Sequence, residues 1–285
     1  MRNLLTRSST LIKSMKLAVA LFIAASAHVI VARAQDNVRT LTPIQMAIEE
    51  HRQRLSSTEI EDRREALMRL RALQRPEASR VALSALNDPA PIVRVTAAAA
   101  VLWLPPDESA AGLIPLLSDK DEFVRQHAAY ALGQTRSHAA VAGLIERLSD
   151  KKDSVRGAAA VALGQIGDET AVTSLAAVLN PQAGLTSSKK SKGKREQNAF
   201  VLRSAARSLG QIRSRAGLPA LIAALEDEKS EVDLRREAAS AIGEIGDASA
   251  IPALRTAETA SDPYLAEVAH QAIKKISKSV KASGT

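Results

Sequence analysis

Apolar residues with near-identical neighbours stand at Leu70, Val101, Leu132, Leu163, Leu209, Ile242 and Ile273, in steps of 31, 31, 31, 46, 33 and 31 residues. Four positions before each of them is an alanine: Ala66, Ala97, Ala128, Ala159, Ala205, Ala238 and Ala269. A second ladder, Leu86, Leu117, Leu148, Leu179 and Leu225, advances by 31, 31, 31 and 46 residues. Its members close short apolar segments such as Leu113-Ile114 to Leu117 and Leu144-Ile145 to Leu148. Within each block the apolar positions fall at i, i+3 and i+4, the spacing of one helix face and not of a strand. Each period therefore predicts two helices, the first rich in leucine and the second in alanine. A unit of this size cannot bury its own apolar face, so stability must come from stacking on its neighbours. The chain reads as all-α, a right-handed α-solenoid of about seven two-helix repeats over residues 58–276.

The polar positions punctuate the same beat. Asp88, Asp119, Asp150 and Asp227, with Asn180 in the remaining unit, lie between the two helices and read as N-caps, because their oxygens accept from unpaired backbone N–H groups. Gly167-Asp168 and Gly246-Asp247 read as a helix stop followed by the next cap. Gly133, Gly164, Gly210 and Gly243 follow the ladder residue inside the second helix. Glycine there costs about 1 kcal/mol against alanine, so close approach of a neighbouring helix must compensate. Arg94, Arg125 and Arg156 each lie six residues after Asp88, Asp119 and Asp150. A guanidinium fork suits a bidentate carboxylate pair, within a unit or with the next. The pattern predicts a structural Asp/Arg ladder that sets stacking register, with a groove for acidic ligands as the other reading.

Three segments depart from the period. Residues 35–57 are expected to form an N-terminal capping helix, starting at Thr42-Pro43 and carrying a charged outer face over Glu49-Glu50-His51-Arg52-Gln53-Arg54. The stretch from Leu179 to Leu209 is 15 residues longer than its counterparts, which places a disordered basic loop at 181–198. Lys189, Lys190, Lys192, Lys194 and Arg195 make this loop either a solvated insertion or a contact for an anionic surface or acidic partner. Residues 277–285 are expected to fray.

The N-terminus bears on location. Arg2, Arg7, Lys13 and Lys16 precede an apolar run over residues 17–31, and Ala32-Arg33-Ala34 is a small-x-small cleavage motif. This is the layout of a secretory signal peptide over residues 1–34, cleaved between Ala34 and Gln35. The run is shorter than the roughly 20 residues of a spanning helix. The expected location is periplasmic or secreted, the alternative an inner-membrane anchor formed by residues 17–31.

Charge and composition narrow the chemistry. The formal charge is +8, and five basic residues with no acid lie in the first 34, which leaves +3; the five basic residues of the loop then leave the repeat body near −2. One Trp, two Tyr and three Phe offer little stacking surface for bases, so nucleic acid is not an expected partner. No cysteine is present, which excludes thiolate metal sites and disulfides. No GxSxG elbow and no phosphate loop occurs in the chain.

The run from Val155-Arg156 to Gly167-Asp168, with returns at Val124-Arg125 to Gly133-Gln134, Arg203 to Gln211-Ile212 and Arg235 to Gly246-Asp247, resembles the HEAT-like repeat of the phycobilisome-lyase type. That resemblance implies the solenoid fold and leaves function open. Nothing in the sequence marks a chromophore pocket for a bilin lyase. Deoxyhypusine hydroxylases are similar repeat proteins and bind two irons through His-Glu dipeptides. Here His127 is followed by Ala128, Glu237 is preceded by Arg236, and no histidine is followed by glutamate. Neither metal nor cofactor is expected.

The second helices of such arrays line the concave face. His127, Tyr130 and Gln134 fall on one side of one helix, and Trp103 lies one 31-residue step before Gln134. Trp103 either covers core beneath Pro105-Pro106 or joins His127, Tyr130 and Gln134 in a patch for a protein partner. The expected function is a non-enzymatic protein-binding scaffold or adaptor of the cell envelope; the alternative is a repeat-fold enzyme resembling the hydroxylase or the lyase.

Overall fold

Alternating leucine-rich and alanine-rich segments fold as helical hairpins. The computed structural model describes residues 41–179 and 198–283. Its chain divides into two units, Met1–Ala47 and Ile48–Thr285. The first unit is described only over residues 41–47, where α1 (Pro43–Arg54) begins. A capping box opens this helix, with the Gln45 side chain accepting from the Thr42 N–H at 2.9 Å. The expected signal segment and its Ala34–Gln35 junction lie outside the described residues, as do Lys189, Lys190, Lys192, Lys194 and Arg195.

From Ile48 onward the fold is an α-solenoid. Its second helices are α2 (Ile60–Ala72), α4 (Pro91–Ala100), α6 (Glu122–Thr135), α8 (Asp153–Ile166), α10 (Ala199–Ile212), α12 (Val232–Ile245) and α14 (Pro263–Ser283). Between them lie the first helices α3 (Pro76–Ala82), α5 (Pro106–Leu113), α7 (Val141–Arg147), α9 (Val172–Leu179), α11 (Leu218–Glu226) and α13 (Ile251–Glu258). Helices α3 and α5 tighten into 3₁₀ turns, Leu83–Asn87 and Ile114–Ser118, while α7, α9, α11 and α13 are each entered through one. No strand occurs among the described residues.

The alanine ladder is the interior of this stack. All seven of its members, from Ala66 to Ala269, have no solvent exposure. Leu70, Val101, Leu132, Leu163, Leu209 and Ile242 are buried beside them, and the series loosens only at Ile273, which is partly buried. The glycines after the ladder residues let the second helices meet closely. A Cβ on Gly133 would stand 2.8 Å from Ala162 Cα, and one on Gly210 2.8 Å from Ala241 Cα. Gly167 and Gly246 end their helices at φ +78, while Arg136 and Arg213 fill the same left-handed cap position at φ 55 and 59.

Two expectations need correction. Asp88, Asp119 and Asp150 are not the N-caps of the second helices. Those places belong to Ala90, Asp121 and Lys152, of which only Asp121 caps with its side chain. The aspartates stand two residues upstream and accept the N–H of residue i+2 at 2.8–2.9 Å, an Asx turn that leaves carboxylate oxygens facing outward. The C-terminal segment is also helical past residue 277, since α14 runs on to Ser283. Ile276 is fully buried and no helix breaker occurs before Gly284, so nothing in the chemistry ends the helix earlier.

Candidate partner-binding face

The outward-facing carboxylates complete a ladder between units. Arg94 donates to Asp119 through Nε and Nη2 at 2.8 Å each, and Arg125 to Asp150 at 2.9 and 3.0 Å. The same arginines send Nη1 back to their own unit, onto the carbonyls of Asp88 at 2.7 Å and Asp119 at 2.9 Å. Each arginine thus ties the loop of its own unit to the carboxylate of the next. A first rung that the six-residue spacing misses is Arg63, paired with Asp88 at 2.7 and 2.9 Å. The signal was present, because Arg63 lies one 31-residue step before Arg94. The last arginine, Arg156, holds the Asp150 carbonyl at 3.0 Å and Asp153 at 2.6 Å, and its next-unit loop lies outside the described residues.

Burial pushes the Asp88, Asp119 and Asp150 carboxyls up, but the arginine fork and the backbone N–H outweigh it and hold each below its ordinary value. Arg94 and Arg125 are nearly buried and their donors are engaged, so neither presents a free fork to an acidic ligand.

A second inter-unit series appears at the start of the first helices. Ser137 Oγ donates to Asp107 at 2.6 Å, His138 meets Asp168 at 2.6 Å, Ser214 donates to Glu169 at 2.7 Å, and Arg215 meets Asp247 at 2.8 Å. Where the later residue is serine the earlier one is acidic, and where the later one is aspartate the earlier one is basic. The Thr170 hydroxyl and His138 hold the Asp168 carboxyl down to about 2.

The exposed side of the second helices differs along the chain. Over α10, α12 and α14 it is ion-paired: Arg203 to Asp233, Arg207 to Glu237, Arg213 and Lys275 to Glu244, and Arg236 to Asp262. Arg236 also lies 5.2 Å from the centre of the Tyr264 ring. Over α2 it carries pairs within the helix, Arg64 to Glu61 and Arg69 to Glu65, and over α4 and α6 it is largely uncharged apart from Glu122, paired with Lys152. Trp103 is 44% exposed and Met68 47%. Both line an open cleft with Arg71, Ala99, Leu102 and Gln134. Leu104, the neighbour of Pro105-Pro106 in sequence, is buried where Trp103 is not.

The structure therefore brings Trp103 and Gln134 together and adds Met68, Arg71 and Ala99, which sequence spacing did not single out. His127 and Tyr130 do not line this cleft. His127 is exposed about two turns nearer the start of α6, bonded to the Phe123 carbonyl at 2.8 Å, and Tyr130 packs partly into the core. Among the described residues no group of three or more His, Asp or Glu is placed to hold a metal ion, and no helix is long and apolar enough to cross a membrane.

The sequence matches the model for HEAT repeats three times, over residues 48–125, 110–186 and 194–274. No curated protein matches it. Among solved structures, the Escherichia coli protein YIBA is 20% identical with a TM-score of 0.56, the match covering 82% of each chain. The complex of CpcE and CpcF of phycocyanin lyase from Nostoc sp. PCC7120 is 23% identical with a TM-score of 0.48, over 85% of this chain and 90% of that one. Human deoxyhypusine hydroxylase, in complex with glycerol, is 19% identical with a TM-score of 0.36, over 82% of this chain and 96% of that one. At these identities the likeness is one of fold.

Proposed function

The chain belongs to the family of HEAT repeats, and from that premise we propose that it is a non-enzymatic scaffold of the cell envelope that holds another protein against its second helices. The family carries both scaffolds and enzymes, so the reading rests on the site. One observation supports it above the others: Trp103 and Met68 lie half exposed in one open cleft, in a chain with a single tryptophan. Trp and Met are favoured anchors of protein interfaces, and an apolar cleft on a soluble surface gains by being covered. The N-terminal sequence supports export, with Gln35 as the first residue of the mature chain.

Photocrosslinking tests the reading directly. A benzophenone amino acid at position 103 should give defined adducts with one protein in the native envelope. The same group at Glu77, exposed on α3, should give none of them. Equal adducts from both positions, or no adduct from position 103, would remove the support. Export is checked separately by sequencing the N-terminus, where an intact Met1 would contradict it.

A further inference from the structure

The row that contains Trp103 continues along the array as a line of amides. Stepping one unit at a time from Trp103, in the 3₁₀ turn that follows α4, meets Gln134, Gln165 and Gln211, on α6, α8 and α10 in turn. All three glutamines are exposed, and none has a hydrogen-bond partner among the described residues. They are also aimed by their surroundings. Gln165 Oε1 lies 2.3 Å from where a Cβ of Gly133 would stand, and Gln211 Oε1 2.4 Å from that of Gly164. Gln165 and Gln211 each lean back over the glycine of the preceding unit, and Gln134 borders the Trp103 cleft. The flanking row, Ala99, Tyr130 and Val161, carries no charge over α4, α6 and α8 and becomes Arg207, paired with Glu237, on α10. Along the row itself charge stands at the two ends. Arg71 in the cleft has no ion pair among the described residues, while past Gln211 the row closes with the Glu244–Lys275 pair.

We infer that this strip binds an extended segment of the partner polypeptide, in polyproline II geometry. Its main chain lies along Gln134, Gln165 and Gln211, one apolar side chain sits in the Trp103 cleft, and a carboxylate lies beyond it at Arg71. The inference rests on the scaffold reading and names the form of the partner. Three physical matches carry it. A primary amide offers both donor and acceptor, so a row of them suits a main chain whatever its side chains. A polyproline II segment has no internal hydrogen bonds, so its carbonyls are free to accept. It also advances about 9 Å per three-residue turn, within the 8–10 Å between axes of packed helices, so equivalent groups meet successive glutamines. Charge complementarity selects the ends: a neutral strip favours an uncharged segment, and the unpaired Arg71 favours an acid at the cleft side.

The sole tryptophan is its own probe. Full-length protein is titrated with a synthetic peptide of alternating Pro and Ala, about a dozen residues long, with one Leu followed by two Asp. The expected result is a saturable shift in Trp103 emission. Kd should weaken about tenfold in the Gln134→Ala, Gln165→Ala, Gln211→Ala triple variant, with Tm unchanged because the amides support nothing in the fold. Arg71→Glu should remove the preference for the acidic peptide over a Lys-ended one. The inference is overturned if no saturable shift occurs, if the triple variant binds as well as the parent, or if an Ala/Leu/Glu α-helical peptide binds equally. Adducts from position 103 with a partner that no such peptide displaces would also overturn it, yet leave the scaffold proposal standing. Loss of those adducts would strike the proposal itself.

Discussion

The two halves of the array share one interior and differ in how their units are tied. From α2 to α8, rungs of buried arginine and aspartate join successive loops, with 10% or less of either side chain exposed. From α10 to α14 the joining pairs lie at the surface, such as Arg207–Glu237, with Arg207 64% exposed. A similar difference marks the exposed side of the second helices, largely uncharged over α4 and α6 and charged and mutually paired over α10, α12 and α14. A charge spent on a neighbouring unit is not available to a partner. The first half also has surface ties, Arg80–Glu108 and Lys152–Glu122, but none of these residues lines the Trp103 cleft, whereas in the other half the exposed side of the second helices is itself used for cohesion.

Breaking a rung should show the largest contrast. Arg94→Met removes the fork from Asp119 in a nearly buried site and should cost roughly 3–5 kcal/mol in chemical denaturation, because an uncompensated buried charge is worse than a missing pair. Arg207→Met should cost about 0–1 kcal/mol, as exposed pairs do. The core should show no such contrast. Leu132→Ala and Leu209→Ala remove equally buried side chains, one from each half, and should each cost roughly 2–5 kcal/mol. If their costs differ as widely as those of the two arginines, the halves differ in packing and not in their ties.

Acid gives the smallest effect. Asp88, Asp119, Asp150 and Asp168 are all held below their ordinary values. A depressed carboxyl stabilises the fold above its unfolded value of about 3.9, and that contribution is lost as pH falls through the folded value. For Asp168 the window runs from about 4 down to about 2. Melting temperature should therefore drop with acid below pH 4, and Asp168→Asn should flatten that limb by lowering Tm near pH 7 while changing it little near pH 2.

Much of this was legible because a repeat states its rule several times over. Seven alanines four residues before seven apolar residues define the second helix, its buried side and its period without any tertiary knowledge. The ladder was half legible. Arg94, Arg125 and Arg156 stood out by spacing, but a six-residue offset suggests a pair inside one unit, and only the stack shows each fork reaching a carboxylate 25 residues ahead. Arg63 escaped because Ser57 stands where its own unit's aspartate would be. The patch was partly legible for a similar reason. Gln134 follows Trp103 by one period and does line its cleft, while His127 and Tyr130 share its helix but not its surroundings. Met68 and Arg71 come from the preceding second helix, and their exposure depends on how far the Trp103 turn overhangs it, which spacing does not encode.

Hydrogen exchange across a salt series tests the division most directly, since salt screens exposed pairs far more than buried ones. Protection of backbone amides in α10, α12 and α14 should fall as salt rises toward 1 M, while that of α4, α6 and α8 stays level. Equal loss in both sets, or loss confined to the first half, would contradict the account.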